Sequence, residues 1–203
     1  KNKEIYNPQV TGSSGEQITE GLSLVKHCDS TKKWLILPMH VTNSSGQTST
    51  YFATYIIDSD TIIYDTIQSI PYEPEIFTNV IASPNGRYLS YDLQLFSFNN
   101  STGKIDFISV DSSYLLSHAY GASFSPNSKL LYRVSYYHDP DKLVYDTAHT
   151  FFLEQIDLSS SNPFLTKKTI SETIYHKMIQ LGPDNSIYLA PVSSTYLSSM
   201  VNP

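Results

Sequence analysis

The sequence has little cysteine and little glycine, and it contains no long apolar run. One of its 203 residues, Cys28, is a cysteine, so an intrachain disulfide framework is impossible. With eight glycines, the chain contains neither a phosphate-binding loop nor a dinucleotide fingerprint. No apolar stretch approaches the roughly 18 residues that a membrane-spanning helix needs. These shortages exclude a disulfide-stapled module, and we expect no cofactor and no membrane span.

The chain is also poor in positive charge. Thirteen Lys and Arg against 19 Asp and Glu give a formal net charge of −6. Because no basic run is present, the electrostatic footprint of a nucleic-acid-binding protein is missing. The same shortage disfavours binding to a membrane surface. Ser, Thr and Asn supply much of the polar surface instead, as in many secreted β proteins.

Aromatic residues are abundant and favour strands. Aromatic side chains make up 13% of the sequence, with 16 Tyr and 9 Phe, and hydrophobic residues make up 40%. Tyr, Phe, Ile, Val and Thr are the residues that suit a pleated, half-buried sheet. Long stretches of Ala, Leu, Glu and Lys are absent. The composition therefore predicts an ordered, predominantly β protein.

One short phrase recurs three times, as a tight turn followed at once by a strand-like run. The copies are 83–88 (SPNGRY), 125–130 (SPNSKL) and 182–187 (GPDNSI). Proline presets the second turn position, and Asn, Asp or Gly tolerates the left-handed conformation that follows. Turns repeated at long intervals are typical of radial all-β repeats such as propellers.

The spacing of the phrases sets the size of the repeat. Pro84 and Pro126 lie 42 residues apart, and Pro126 and Pro183 lie 57 residues apart. Because a propeller blade takes about 40–50 residues, the first interval fits one blade. The longer interval predicts an insertion, which we place at 135–150.

Each unit has a second half in which apolar and polar residues alternate around a Ser- and Asn-rich turn. In one unit this hairpin is 94–108, with its turn at 99–103. In the next it is 151–166, with a turn at 159–163 and a strand at 164–166. The pattern is that of the outer hairpin of a blade.

We predict an all-β protein whose residues 1–203 form one β-propeller domain, or a fragment of one, of the WD40/YVTN-like kind. A more degenerate unit near the start brings the ring to about four blades. We expect the ring to be incomplete, unless residues 1–6 supply the outer strand that the last blade lacks. The blade units are 15–70, 78–110, 119–170 and 175–203.

Eight short segments follow one another along the chain in an order that is typical of one group of proteins. They include KNK at 1–3, EQIT at 16–19, VKHC at 25–28, Trp34, ASPNG at 82–86, LFSFNNSTG at 95–103, AYGASFSPNSKLLY at 119–132 and QLGPDNSIYLA at 180–190. In this order they resemble the propeller region of large secreted surface proteins that carry a gliding-motility-associated C-terminal domain for type IX secretion. The resemblance implies a propeller on the outer surface of a bacterium, in a longer polypeptide with adhesive or sorting modules. It implies no catalytic residues.

The ionisable residues do not form a recognisable catalytic motif. The six histidines include no His-Glu-x-x-His pattern, and residues 121–125 (GASFS) fall short of a Gly-x-Ser-x-Gly elbow. His27 and Cys28 are adjacent, but neighbours in a strand face opposite sides. We therefore expect a structural role for both, with the thiol buried as a small apolar group.

Three acidic pairs could carry chemistry. Asp58 with Asp60, and Asp139 with Asp141, could offer carboxylate oxygens to Ca²⁺. Neither pair has the Asp-x-Asp-x-Asp-Gly order of a calcium-binding loop, so polar turns are favoured at both places. Glu73 and Glu75 could be spaced for glycosidase chemistry, but no second feature supports it. We assign no catalytic, cofactor-binding or metal-binding residue.

The leading hypothesis is a non-enzymatic extracellular propeller that acts as a scaffold or as a surface for binding a protein or glycan. The first alternative is a propeller hydrolase or lyase acting on a polysaccharide or peptide, with residues from different blades converging on the central channel. The second alternative is a subunit of a cell-surface secretion or motility assembly.

Overall fold

Four antiparallel sheets follow one another along the chain and are arranged as a four-bladed β-propeller. The computed structural model describes residues 13–18, 21–72, 78–112, 117–137, 151–173, 176–191, 196–201 and 203. The predicted fold class is therefore confirmed.

The first two blades have their strands in chain order from the centre outwards. Blade 1 comprises β1 (Ser13–Ile18), β2 (Ser23–Lys26), β3 (Lys33–Asn43), β4 (Thr48–Ile57) and β5 (Ile62–Ser69). Its innermost position is shared by β1 and β2, which both pair with the long strand β3. Blade 2 comprises β6 (Val80–Ala82), β7 (Tyr88–Tyr91), β8 (Gln94–Phe98) and β9 (Ile105–Val110).

The last two blades repeat this order. Blade 3 comprises β10 (Ser117–Phe124), β11 (Leu130–Tyr137), β12 (Phe151–Asp157) and β13 (Lys168–Thr173). Blade 4 comprises β14 (His176–Leu181), β15 (Ile187–Pro191) and β16 (Ser198–Met200). Residues 1–6, proposed as a further strand, and most of the insertion at 135–150 lie outside the described residues.

Consecutive blades pack face to face through apolar side chains. Alternate residues of a strand point to opposite faces, so a blade with apolar residues on both faces can contact two neighbours. Blade 2 shows this division within one strand: Phe96 and Phe98 pack towards blade 1, while Leu95 packs towards blade 3. Between blades 3 and 4, Val134 and Leu153 pack with Ile179 and Leu189.

Trp34 ties blade 1 to the outer hairpin of blade 2. Its indole N–H donates to the carbonyl oxygen of Asn100 at 2.9 Å, and its ring meets Phe98 edge to face at 6.0 Å. Gln68 of β5 makes a second tie: its amide donates to the carbonyl of Gly103 at 3.0 Å and accepts from the N–H of Ile105 at 2.8 Å. The turn at 99–103 therefore serves both its own hairpin and the interface between blades.

The recurring phrase forms the same hydrogen-bonded turn in blades 2 and 3. In blade 2 the hydroxyl of Ser83 donates to the Asn85 side chain at 2.8 Å and accepts from the N–H of Tyr88 at 2.9 Å. In blade 3, Ser125 donates to the Asn127 side chain at 2.8 Å and accepts from a backbone N–H at 3.0 Å. The left-handed position of each copy is held by Gly86 (φ 68°), Ser128 (φ 59°) or Asn185 (φ 63°).

One predicted strand is wrong. Residues Pro163–Thr166 form a short 3₁₀ helix, and the strand begins only at Lys168. Proline fixes a helical φ and has no N–H to leave unpaired in the first turn. The hydroxyl of Thr166 donates to the carbonyl of Pro163 at 2.6 Å and accepts the N–H of Asp157 at 2.8 Å, which closes the turn.

Replacing Gly103 by alanine will destabilise the protein more than the same change at Gly46. Both glycines have positive φ, at 70° and 82°, which costs an alanine about 1–2 kcal/mol. A Cβ at Gly103 would also lie 2.6 Å from the Trp34 ring, whereas nothing lies within 4 Å of one at Gly46. Overpacking adds about 1–3 kcal/mol, measurable by urea denaturation. Equal losses in the two variants would contradict the proposed role of the Trp34 contact.

Candidate functional site

A cavity of about 880 Å³ lies at the centre of the propeller, where the innermost strands of all four blades meet. Its wall includes β2, β6, the end of β10, and β14, together with the turns that follow β2 and β6. The lining residues are 22–28, 30, 79–86, 100, 122–124 and 178–181. Its volume is within the range typical of small-molecule sites, about 300–1,000 Å³.

Strand alternation places apolar side chains of blade 1 on the cavity wall. Val25 is buried against blade 2, and the residues on either side of it point the other way. Leu22 and Leu24 are 60% and 52% exposed, which is unusual for leucine near the centre of a fold. Lys26 follows them on the same side.

Blade 4 contributes a similar wall. Ile179 of β14 is buried against blade 3, and its neighbours Met178 and Gln180 are exposed and line the cavity. Met178 is 45% exposed. The cavity therefore has aliphatic surface on two sides, with longer polar side chains near it.

His27 is held in a defined orientation at the edge of the cavity. Its Nδ1 accepts the backbone N–H of Asp29 at 2.8 Å, and its ring stacks on Trp34 with 5.2 Å between centroids. Because Nδ1 is an acceptor, the neutral ring carries its proton on Nε2. The turn after β2 thus presents a hydrogen-bond donor beside the cavity.

Cys28 is not buried, contrary to the prediction from the sequence. The thiol is exposed and lines the cavity. His27 and Cys28 lie in the turn after β2 and not within a strand, so their side chains are not forced apart. The Cys28 sulfur lies 3.5 Å from His27 Nδ1, and the Cys28 N–H donates to the carbonyl of Asn100 at 3.0 Å.

A network of charged side chains lies between blades 2 and 3, and none of its residues lines this cavity. Arg133 of β11 donates from Nε to Glu154 at 2.8 Å and from Nη2 to Asp111, which follows β9. Lys167 donates to Asp111 at 2.9 Å and lies 3.5 Å from Glu154. The ring of Phe164 lies against the guanidinium, with 5.3 Å between Arg133 Cζ and the ring centroid. Two buried carboxylates thus face two cations, of which Arg133 is buried and Lys167 is partly exposed.

The sequence did not reveal this network. Arg133 and Glu154 are directly opposite in the register of β11 and β12, and Asp111 arrives from the preceding blade. A signal was present, because an arginine interrupts the apolar run of β11. Finding its partners required the strand register.

Asp58 and Asp60, weighed above as possible Ca²⁺ ligands, lie in a polar turn. Asp58 accepts the N–H groups of Asp60 at 2.9 Å and Thr61 at 2.7 Å, and these hydrogen bonds hold its pKa below the usual value. Within the described residues no cluster of three potential metal ligands occurs. Asp139, Asp141, Glu73 and Glu75 lie outside the described residues.

Comparisons with known proteins identify the fold alone. No family model matches the chain, and no curated protein matches it. A solved structure of a candidate 6-phosphogluconolactonase from Bacteroides uniformis is 14% identical with a TM-score of 0.50, covering 96% of this chain and 53% of that one. An ancestral GH74 enzyme is 12% identical with a TM-score of 0.49, covering 90% of this chain and 30% of that one.

The chain therefore spans about half the length of the first of these structures. Among the described residues, no helix has the length and apolarity needed to cross a bilayer. With the first of these structures the chain shares the fold.

Replacing Arg133 by leucine will strongly destabilise the protein. The substitution removes the fully buried cation between Asp111 and Glu154 and leaves them with Lys167, which is partly exposed; breaking a buried pair in this way costs about 3–5 kcal/mol. Lys104→Met is the matched control, because it removes a cation from an exposed pair with Asp106 and should cost below about 1 kcal/mol. Urea denaturation measures both changes. A loss in R133L no larger than that in K104M would disprove the structural role of the network.

Proposed function

We propose that the protein is a non-enzymatic binding module of an extracellular protein, and that its ligand binds in the central cavity. The observation that carries this proposal is the exposed aliphatic surface inside the cavity, formed by Leu22, Leu24 and Met178. Exposed apolar surface in a concave site is typical of ligand binding. A protein segment or a glycan reaching the face of the propeller would contact this surface.

The titratable groups of the cavity favour binding over hydrolysis. Among the described residues that line it, the ionisable side chains are Lys26, His27 and Cys28, and carboxylates are absent from that set. Asp111 and Glu154 are engaged by Arg133 and Lys167 elsewhere. A hydrolase of the usual two-carboxylate type needs acidic groups facing its substrate.

A hydrolase or lyase remains the alternative from another class. The structure with a TM-score of 0.50 is named as a candidate 6-phosphogluconolactonase, but at 14% identity it shares a fold with this chain and not a demonstrated site. Turnover of a polysaccharide or peptide that is abolished by one carboxylate substitution would favour this alternative. Stable copurification with other surface proteins would favour the third possibility, a subunit of a secretion or motility assembly.

The proposed location is the outer surface of a bacterium, on the strength of the resemblance in the sequence. The surface rich in Ser, Thr and Asn is compatible with it. Cleavage of the protein by protease added to intact cells would support the location. Full protection until the cells are lysed would contradict it.

Blocking the cavity at Cys28 will abolish ligand binding. Cys28 is the single cysteine, is exposed and lines the cavity, so a maleimide carrying polyethylene glycol will attach there and obstruct it. The protein is screened on peptide and glycan arrays before and after labelling. We expect the hits of the unlabelled protein to lose at least tenfold in affinity after labelling.

The control places the same polymer on another surface. Leu165 is 82% exposed on the 3₁₀ helix of blade 3 and does not line the cavity. The variant Leu165→Cys in a Cys28→Ser background therefore carries the label outside the cavity. This variant should bind as the unlabelled protein does. Binding that survives the label on Cys28, or that is lost equally in both proteins, would contradict the proposed site.

A further inference from the structure

We propose that the central cavity binds an aliphatic carboxylate, with the chain against the leucine and methionine wall and the anionic group at Lys26 and His27. This inference rests on the proposed function, since it names the chemistry of the ligand for the same cavity. Its two parts follow from two separate observations, one on hydrogen-bond donors and one on apolar surface.

Two donors on the cavity wall, the Lys26 ammonium group and the Nε2–H of His27, have no partner among the described residues. Lys26 forms no ion pair or hydrogen bond through its ammonium group within the described structure. Among the described residues the Nε2–H of His27 has no partner either, since the interactions of its ring there are those of Nδ1 and the stack on Trp34. Lys26 and His27 both line the cavity, and a carboxylate can accept from an ammonium group and from an imidazole N–H.

The local charge differs from that of the whole molecule. The chain has a formal net charge of −6, yet the described lining of the cavity contains Lys26 and no Asp or Glu. A cation in a concave site with low-dielectric walls produces a focused positive potential. The cavity is therefore complementary to an anion, although most of the surface would repel one.

The apolar part of the wall is positioned for a chain that continues from the anionic group. Leu22, Leu24 and Lys26 lie on the same side of the innermost segment of blade 1, so aliphatic surface and ammonium group follow one another along one line. Met178 supplies aliphatic surface from blade 4. A ligand with an apolar chain and one terminal carboxylate matches this order of an aliphatic surface followed by an ammonium group.

The test is titration calorimetry of the protein with hexanoate, octanoate and decanoate, and with decan-1-ol as the uncharged match, all below micelle-forming concentrations. Each methylene buried against the wall should strengthen binding about threefold to fourfold. Decanoate should bind at least tenfold more tightly than decan-1-ol, and raising the salt concentration should reduce that difference.

Two variants and their matched controls locate the two parts of the ligand. Lys26→Met should weaken decanoate binding about tenfold, the effect of losing one charge-assisted hydrogen bond, and should leave decan-1-ol unaffected. Lys33→Met is its control, because Lys33 is the cross-strand partner of Lys26 and is not among the cavity residues. Met178→Gln should weaken decanoate binding, whereas Leu165→Gln, at an exposed leucine elsewhere, should not.

Binding of decan-1-ol as tight as that of decanoate, an unchanged affinity in Lys26→Met, or an affinity independent of chain length would each overturn the inference. Absence of decanoate binding would overturn it too. If the array ligands are still displaced by the label on Cys28 in that case, the proposed function stands and only the ligand chemistry is wrong. If they are not displaced, the proposed function fails with it.

Discussion

The structure depends on the packing of each blade against its neighbours through both of its faces. Alternation along a strand sends successive side chains to opposite sides, and blade 2 uses this to place Phe96 against blade 1 and Leu95 against blade 3. The position of every innermost strand, and hence the shape of the cavity, follows from these contacts. Loss of one interface would therefore alter the binding site as well as the stability.

Polar ties make these apolar interfaces specific. Apolar faces alone would allow neighbouring blades to slide, since hydrophobic burial has no direction. Between blades 1 and 2, Trp34 and Gln68 bind backbone groups of the 99–103 turn. Between blades 2 and 3, Arg133 joins Asp111 to Glu154, and the N–H of Asn85 donates to the hydroxyl of Ser128 at 3.1 Å. Each tie fixes the position of one blade relative to the next.

The cavity is the place where this alternation leaves side chains without a facing blade. The faces of β2 and β14 that point away from their packed neighbours carry Leu24 and Met178, which stay exposed. Burying these side chains against a ligand would remove apolar surface from water without disturbing the interfaces between blades. The fold thus separates the residues that hold the blades together from those available for binding.

The repeated turns and the outer hairpins, apart from the strand at 164–166, could be predicted from the sequence because they depend on local chemistry. Proline, Asn and Gly indicate a turn directly, and the alternation of apolar and polar residues indicates a strand. The environment of Cys28 could not be predicted, because it depends on whether residue 28 lies in a strand or in the turn beyond it. The Arg133 network could not be predicted either, since its members meet only through strand register and the packing of two blades.

The location of the ligand site on the innermost strands is tested most directly by amide hydrogen exchange with and without a peptide or glycan that the protein binds on the arrays. We expect slower exchange in the segments 22–30 and 178–181 and little change in the outer strands β5 and β9. Slower exchange confined to the outer strands, or no change at the innermost ones, would contradict it.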